Sequence, residues 1–251
     1  MTLAQRAIDL SAMQVVAMTD LISEMRPPLA PPGRPQCALF LTIAEQFDAT
    51  VCLARANLLT HATVHVRAMA EATADMYMLG TADDHVRRMR YEQVSGEKAF
   101  YERLLASHGP TQAEHQLVAD RLEACRDRHG PLHAEFKKKR LFEADKFTAA
   151  GLPEFIPLYP LLCSFSHNDL TALSLRHQSS GPGMIFRAGV SDEIAYLILH
   201  TAQHAMVRST ERIGSVAHFP DGHFELHFGV MKKLYEQLVD LRSTDDAGRP
   251  A

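Results

Sequence analysis

Between Gln36 and Leu79 the chain carries neither proline nor glycine. A run of that length without a turn former is helical. Its second half, Val51 to Leu79, is apolar over most of its circumference, which predicts a central helix packed on several sides.

Proline and glycine punctuate the chain elsewhere. From Thr2 to Met25 the residues Leu3, Ile8, Leu10, Met13, Val16, Leu21 and Ile22 recur at helical spacing, and Pro27-Pro28 stops that helix by removing an amide donor. Pro27 to Pro35 holds five prolines and reads as a stiff connector. Asp83 to His108 is an amphipathic, charged helix ended by Gly109-Pro110. Thr111 and Glu114 match a capping box that opens the next helix, which is expected to end at Gly130-Pro131. Another helix is expected from about Leu132 to Ala150. Pro153, Pro157 and Pro160 force an irregular passage, and QSSGPG is a loop. Ser191, followed by Asp192 and Glu193, is placed to cap a helix running through Ile213. HFPDGHF is a turn, and a last helix runs to about Leu241.

Period-2 strands and internal repeats are absent. The expectation is an all-α single domain, a bundle of seven to eight helices: residues 1–26 an N-terminal helix, 27–35 the connector, 36–242 the bundle and 243–251 a disordered tail.

A formal charge of −4 gives no global field for polyanions, so nucleic-acid contact would need a local basic patch. The compact run Lys137-Lys138-Lys139-Arg140 reads as a solvated helix face. Cys37, Cys52, Cys125 and Cys163 are far apart and form no CxxC pair, which argues against a thiolate zinc site or a disulfide framework and fits a reducing cytoplasm. The N-terminal segment lacks the pattern of a signal peptide, and no run of about eighteen apolar residues predicts a membrane span.

On the central helix Asn57, His61, Arg67, Glu71 and Asp75 share one arc. Buried charges need partners, and Arg67 and Glu71, four apart, can pair. The pair reads either as a structural ion pair or as a guanidinium fork, oriented by Glu71, for an anionic ligand. The segment YPLLCSFSHND sets Tyr159, Ser164, Ser166, His167, Asn168 and Asp169 among apolar residues. His167 suits a general acid or base held by Asp169; alternatively Ser166 or Asn168 caps a helix and His167 satisfies backbone groups.

Fourteen histidines are roughly double an average share, and four pairs fall at i, i+4. His129/His133 is interrupted by Gly130-Pro131 and His223/His227 sits beside a turn. His61/His65 and His200/His204 lie within helices, where two imidazoles can share zinc or iron if His61, His65, His167 or Asp169 adds a ligand. No Glu-x-x-His occurs, which weighs against a ferritin-like di-iron centre. The Arg-x(4–6)-His spacing of HEPN-type ribonucleases occurs five times where chance predicts about three, too small an excess to be specific, and only Arg55/His61 sits on one expected helix.

Taken together, HVRAMAEATADMYML, RRMRYEQ and LYPLLCSFSHND resemble an uncharacterised bacterial helical family, a domain of unknown function, over roughly residues 50 to 175. The shared signature is Arg-x3-Glu (Arg67, Glu71), an Arg/Tyr-rich helix (Arg88, Arg90, Tyr91) and Tyr-x3-Ser-x3-His (Tyr159, His167). Cys163 stands at the serine position, and Asn168 where Gly or Pro is common. The resemblance implies a broadly HEPN-like bundle with a shared polar pocket; a link to nucleotide or RNA chemistry, or to phage defence, is analogy at the level of the fold.

Three functions are carried forward. In the first, Arg67, Glu71 and His167 are catalytic and Arg88, Arg90, Tyr91, Tyr159, Asn168 and Asp169 bind a phosphate-bearing small molecule or RNA. The second is a metal-dependent hydrolase built on His200 and His204 with a divalent ion, zinc or iron. The third is a non-catalytic interaction module that forms a homodimer.

Overall fold

The computed structural model describes residues 1–107, 111–137, 141–167, 169–178, 181–186 and 188–247. Among them are ten α-helices: α1 (Leu3–Ser23), α2 (Gly33–Arg55), α3 (Leu59–Thr81), α4 (His85–Ala106), α5 (Gln112–Phe136), α6 (Glu143–Ala149), α7 (Tyr159–Ser166), α8 (Leu170–His177), α9 (Asp192–Gly214) and α10 (His223–Ala247). A 3-10 turn lies at Pro153–Phe155, and the described residues contain no strand. The chain is all-α as expected, but with more and shorter helices.

The excess over eight helices has identifiable causes. The expected central helix from Val51 is broken at Asn57, whose φ of 57° places it in the left-handed region. Asn57 N–H donates to Ala54 O at 3.0 Å and Leu58 N–H to Leu53 O at 2.8 Å, the paired bonds of a Schellman ending. Asparagine is among the few residues that enter this conformation at low cost, so it ends α2 without a glycine. Around Pro160 the irregular passage resolves into α7, with the proline in its first turn where its missing donor is not needed.

The opposite correction applies at Gly130-Pro131. Here α5 continues through Pro131 to Phe136. Proline disfavours helix in the preceding residue partly by striking its Cβ, and Gly130 has none. The connector is also shorter than expected, because α2 starts at Gly33 and Pro35 lies in its first turn. At the other end α10 runs on to Ala247 rather than stopping near Leu241. The caps match the sequence reading: Thr111 and Glu114 form the full capping box, and Ser191 Oγ accepts from Ile194 N–H at 3.3 Å.

The chain divides into two compact units, Met1–Gly80 with Lys146–Ala251, and Thr81–Asp145. In the larger unit α9 packs against α1, α2 and α10, and α1 packs along α10. Phe40, Ile43, Phe47, Val66, Met69, Met76, Leu199, Met206 and Leu238 are fully sealed from solvent there. Each large apolar side chain so buried contributes about 1.5–3 kcal/mol. Among the described residues α2 is the one helix long and apolar enough to cross a membrane, although Phe40, Ile43 and Phe47 turn it into the core.

The smaller unit is built on the antiparallel pair α4 and α5. Its sparse core includes Val94, Leu122, Cys125 and Phe136. Ion pairs Arg128–Glu97 (2.9 Å), Arg126–Glu102 (3.5 Å) and Arg87–Glu135 cross between the two helices. Their charged faces are thus satisfied by one another, which explains how so polar a hairpin forms a unit.

Candidate functional site

One turn apart on α3, Arg67 and Glu71 occupy a part-exposed stripe of a helix whose core positions include Val66, Met69 and Ala70. Arg67 Nε donates to Glu71 Oε1 at 2.8 Å, with the two side chains 27% and 31% exposed, so the pair sits at the water boundary. Tyr159 at the start of α7 donates its hydroxyl to the same Glu71 Oε1 at 2.6 Å, and the Arg67 guanidinium lies 5.4 Å from the centroid of the Tyr159 ring. Phe147 meets that ring edge-on at 5.4 Å and limits its movement. Partial burial works against the Arg67 charge, but hydrogen bonding to Glu71 and Tyr159 outweighs it, and the Arg67 pKa is raised.

His167 joins this cluster from one hundred positions away. Its Nε2 lies 3.4 Å from Arg67 Nη1. A guanidinium can only donate, so the contact is a hydrogen bond only when Nε2 carries its lone pair and the ring proton is on Nδ1. His167 caps the C-terminus of α7, its N–H donating to Cys163 O at 3.0 Å, and its side chain is exposed.

Asp169 has a structural task at the start of the next helix. It is the N-cap of α8, where Oδ1 accepts from Ala172 N–H at 2.9 Å and Oδ2 accepts from the Ser164 hydroxyl. These bonds, that of Ser164 first, lower its pKa. Oδ1 thus serves the cap and Oδ2 the Ser164 hydroxyl, and the charge of His167 adds a smaller influence on the carboxylate. Asn168 lies outside the described residues, and Ser166 turns back to Leu162 O at 2.8 Å. Further along the arc Asp75 faces Lys146 Nζ at 3.3 Å.

Arg88, Arg90 and Tyr91 belong to the smaller unit. Arg88 lies 5.2 Å from the Phe136 ring centroid and 3.8 Å from Asp84, while Arg90 is exposed. The Tyr91 hydroxyl bonds His133 Nδ1 at 3.0 Å. Together with Glu92, Phe136 and Glu143, Arg88 and Tyr91 line a cavity of about 470 Å³.

The histidine pairs are arranged differently from the sequence reading. His129 and His133, set aside because of Gly130-Pro131, ride one continuous helix with ring centroids 4.8 Å apart. His223 and His227, set aside as turn residues, both lie in α10 at 4.6 Å. His200 and His204 do share a face of α9, but Tyr235 bridges them: its hydroxyl lies 3.0 Å from His204 Nδ1 and 3.1 Å from His200 Nε2. His204 Nε2 bonds Glu154 Oε1 at 3.1 Å. Since the carboxylate only accepts, that nitrogen carries a proton, and in a neutral ring Nδ1 then accepts from Tyr235. Hydrogen bonds thus engage three of the four imidazole nitrogens, and among the described residues no three His, Cys, Asp or Glu are grouped to hold a metal ion. His65 Nδ1 pairs with Gln46 Oε1. Arg55 and His61 lie on different helices, separated by the break at Asn57.

Sequence reasoning missed Arg176. It stands in the last turn of α8 and is 7% exposed. Nothing marked it, because a basic residue near a helix C-terminus ordinarily does no more than complement the helix dipole.

Residues 35–185, more than half of the chain, match the model of a family of unknown function (DUF5677). No curated protein matches, and no solved structure does.

Proposed function

The chain belongs to a family of unknown function (DUF5677), and from there we propose that its Arg67–Glu71–Tyr159–His167 cluster binds a phosphate-bearing ligand, RNA foremost, and acts on it. The observation that carries this reading is the 3.4 Å approach of His167 Nε2 to Arg67 Nη1. A phosphate seated on that guanidinium brings its neighbouring hydroxyl within reach of an imidazole lone pair. Glu71 and Tyr159 hold the guanidinium plane in place, which is what a planar fork needs to meet two phosphate oxygens.

On RNA the chemistry is an internal transfer. His167 Nε2 takes the 2′-hydroxyl proton, O2′ forms a bond to phosphorus, and the P–O5′ bond breaks. The products are a 2′,3′-cyclic phosphate and a 5′-hydroxyl that acquires its proton from water. Arg67 balances the charge that builds on the phosphoryl oxygens. The four well-separated, free cysteines are compatible with a reducing cytoplasmic setting for this role, where RNA is abundant.

The test is fluorescence anisotropy with a labelled single-stranded RNA oligonucleotide, with cleavage followed on a gel. Arg67→Ala is expected to weaken binding about tenfold or more, the worth of a charge-assisted contact. His167→Ala is expected to retain binding and lose cleavage. Arg67→Lys, which keeps the charge, separates lost binding from lost folding. Wild-type protein that neither binds nor cleaves the oligonucleotide, or binding equal in wild type and Arg67→Ala, overturns the reading.

A further inference from the structure

Within the smaller unit, α4 and α5 bring together Tyr91, His129 and His133. The two histidines are four residues apart on α5, so they lie one above the other on a single face. Their ring centroids are 4.8 Å apart. Between them in the chain stand Gly130 and Pro131. Pro131 has no N–H to donate to the Asp127 carbonyl four residues back, so α5 lacks one of its own hydrogen bonds at this turn. The histidine pair therefore brackets a turn that the proline weakens.

Both rings have a nitrogen to offer. His133 uses Nδ1, which lies 3.0 Å from the Tyr91 hydroxyl, and its side chain is exposed. With the ring proton on Nδ1, His133 donates to the Tyr91 oxygen and keeps a lone pair on Nε2. Among the described residues the nitrogens of His129 make no hydrogen bond. The Tyr91 ring packs against both imidazoles, at 5.7 Å and 6.0 Å between centroids, and limits how far they turn. Burial first, then the charges of His133 and Lys98, lower the pKa of His129 against an opposite pull from Glu102. His129 is therefore neutral at pH 7, the form that ligates. Lys98 pairs with Glu102 at 3.0 Å, so the cation beside His129 has its charge offset. The other pairs are engaged elsewhere: His200 and His204 share Tyr235, His223 Nε2 bonds the Asp20 and Leu21 carbonyls, and His65 is tied to Gln46.

We infer that His129 and His133 chelate a divalent transition-metal ion of the zinc, nickel and copper group, and that the bound ion staples α5 across Gly130-Pro131. Water fills the remaining coordination positions. Two imidazoles one turn apart are a bidentate donor set, and these metals favour imidazole where magnesium and calcium favour oxygen. With only two protein ligands the affinity is modest, a Kd of about 0.1 mM or below for zinc and lower for copper. The ion joins residues on either side of the missing hydrogen bond and so replaces the connection that Pro131 removes. Because the apolar core of this unit is sparse, the clamp acts where few other contacts hold the helix.

Imidazole nitrogen NMR and native-state hydrogen exchange test the assignment on the full chain, made without a histidine tag, with zinc chloride and magnesium chloride as the control. Zinc is expected to shift the ring nitrogens of His129 and His133, and magnesium to leave them in place. Zinc at about tenfold above its Kd is expected to slow exchange of the α5 amides around Pro131 by about tenfold. His129→Asn and His133→Asn are each expected to abolish that slowing while zinc-free exchange stays close to wild type, which tells a lost ion from a lost helix. His200→Asn, in the other unit, is expected to retain it. Tyr91→Phe removes the hydroxyl that holds the His133 tautomer and is expected to weaken zinc about threefold or more. Ring nitrogens unmoved by about 1 mM zinc, an equal response to magnesium, or slowing that survives both histidine variants overturns the proposal. Should a variant disturb α5 even without zinc, the wild-type ring shifts alone decide.

Discussion

His200 shows what burial does to a single titratable side chain. Enclosed between α9 and α10 and bonded to Tyr235, it is lowered from the ordinary 6.5 to about 4, by burial first and then by the charges of His204 and Arg242. The unfolded chain takes up a proton near pH 6.5 whereas the folded one does not until about pH 4, so the unfolded state binds more protons throughout that window. The stabilisation is therefore complete above about pH 6.5, falls as the pH drops towards 4 and is level below that. With each pKa unit worth about 1.4 kcal/mol, the whole effect is about 3 kcal/mol at most. Urea midpoints between pH 4 and 7 are expected to fall more steeply for wild type than for His200→Gln, which keeps a polar contact to Tyr235 without a titrating ring. Equal slopes in the two proteins would show that His200 carries none of the acid sensitivity. Tyr235, whose own ionisation is pushed up to about 12 mainly by burial, stays a neutral hydroxyl and keeps the bridge intact across this range.

At the scale of elements, helix ends written by side chains were legible and helix interruptions were not. Thr111, Glu114 and Ser191 announce their helices because a cap is a local bond between neighbours in sequence. Asn57 was not legible as a break, since its neighbours carry on the helical pattern and asparagine is tolerated in helices; what ends α2 is the pair of backbone bonds made once φ turns positive. The converse error at Gly130-Pro131 came from treating the dipeptide as a stop when glycine relieves the clash that makes it one. The Asn57 account is testable. Asn57→Gly is expected to be neutral or slightly stabilising, and Asn57→Ala to cost about 1–2 kcal/mol, the penalty of a Cβ in the left-handed region. Thermal or urea unfolding of the two variants decides. If alanine and glycine behave alike, the conformation of this one residue does not hold the turn between α2 and α3.

Across the whole molecule, the candidate site was legible only where partners are close in sequence. Arg67 and Glu71 follow from their spacing, but that Tyr159 would donate to Glu71, or that His167 would reach Arg67, depends on how α7 lies against α3, which no periodicity encodes. Arg176 depends likewise on Thr60, 116 positions away. The two units differ in the same way. In α9 the residues Ile198, Leu199, Ala202, Ala205, Met206 and Ile213 are sealed from water along nearly its whole length. In α4 only His85 and Val94 are buried, and the α4–α5 pair relies on exposed ion pairs such as Arg128–Glu97, each worth less than about 1 kcal/mol and weakened by salt. Local opening free energy follows buried apolar contact, so native-state hydrogen exchange is expected to protect the amides of α9 up to the global unfolding limit. Those of α4 and α5 are expected to exchange through smaller openings, faster by roughly two orders of magnitude or more and accelerated further by salt. Uniform protection across α4, α5 and α9 would mean that the two units unfold as one, and that the ion pairs of the hairpin hold far more than exposed charges ordinarily do.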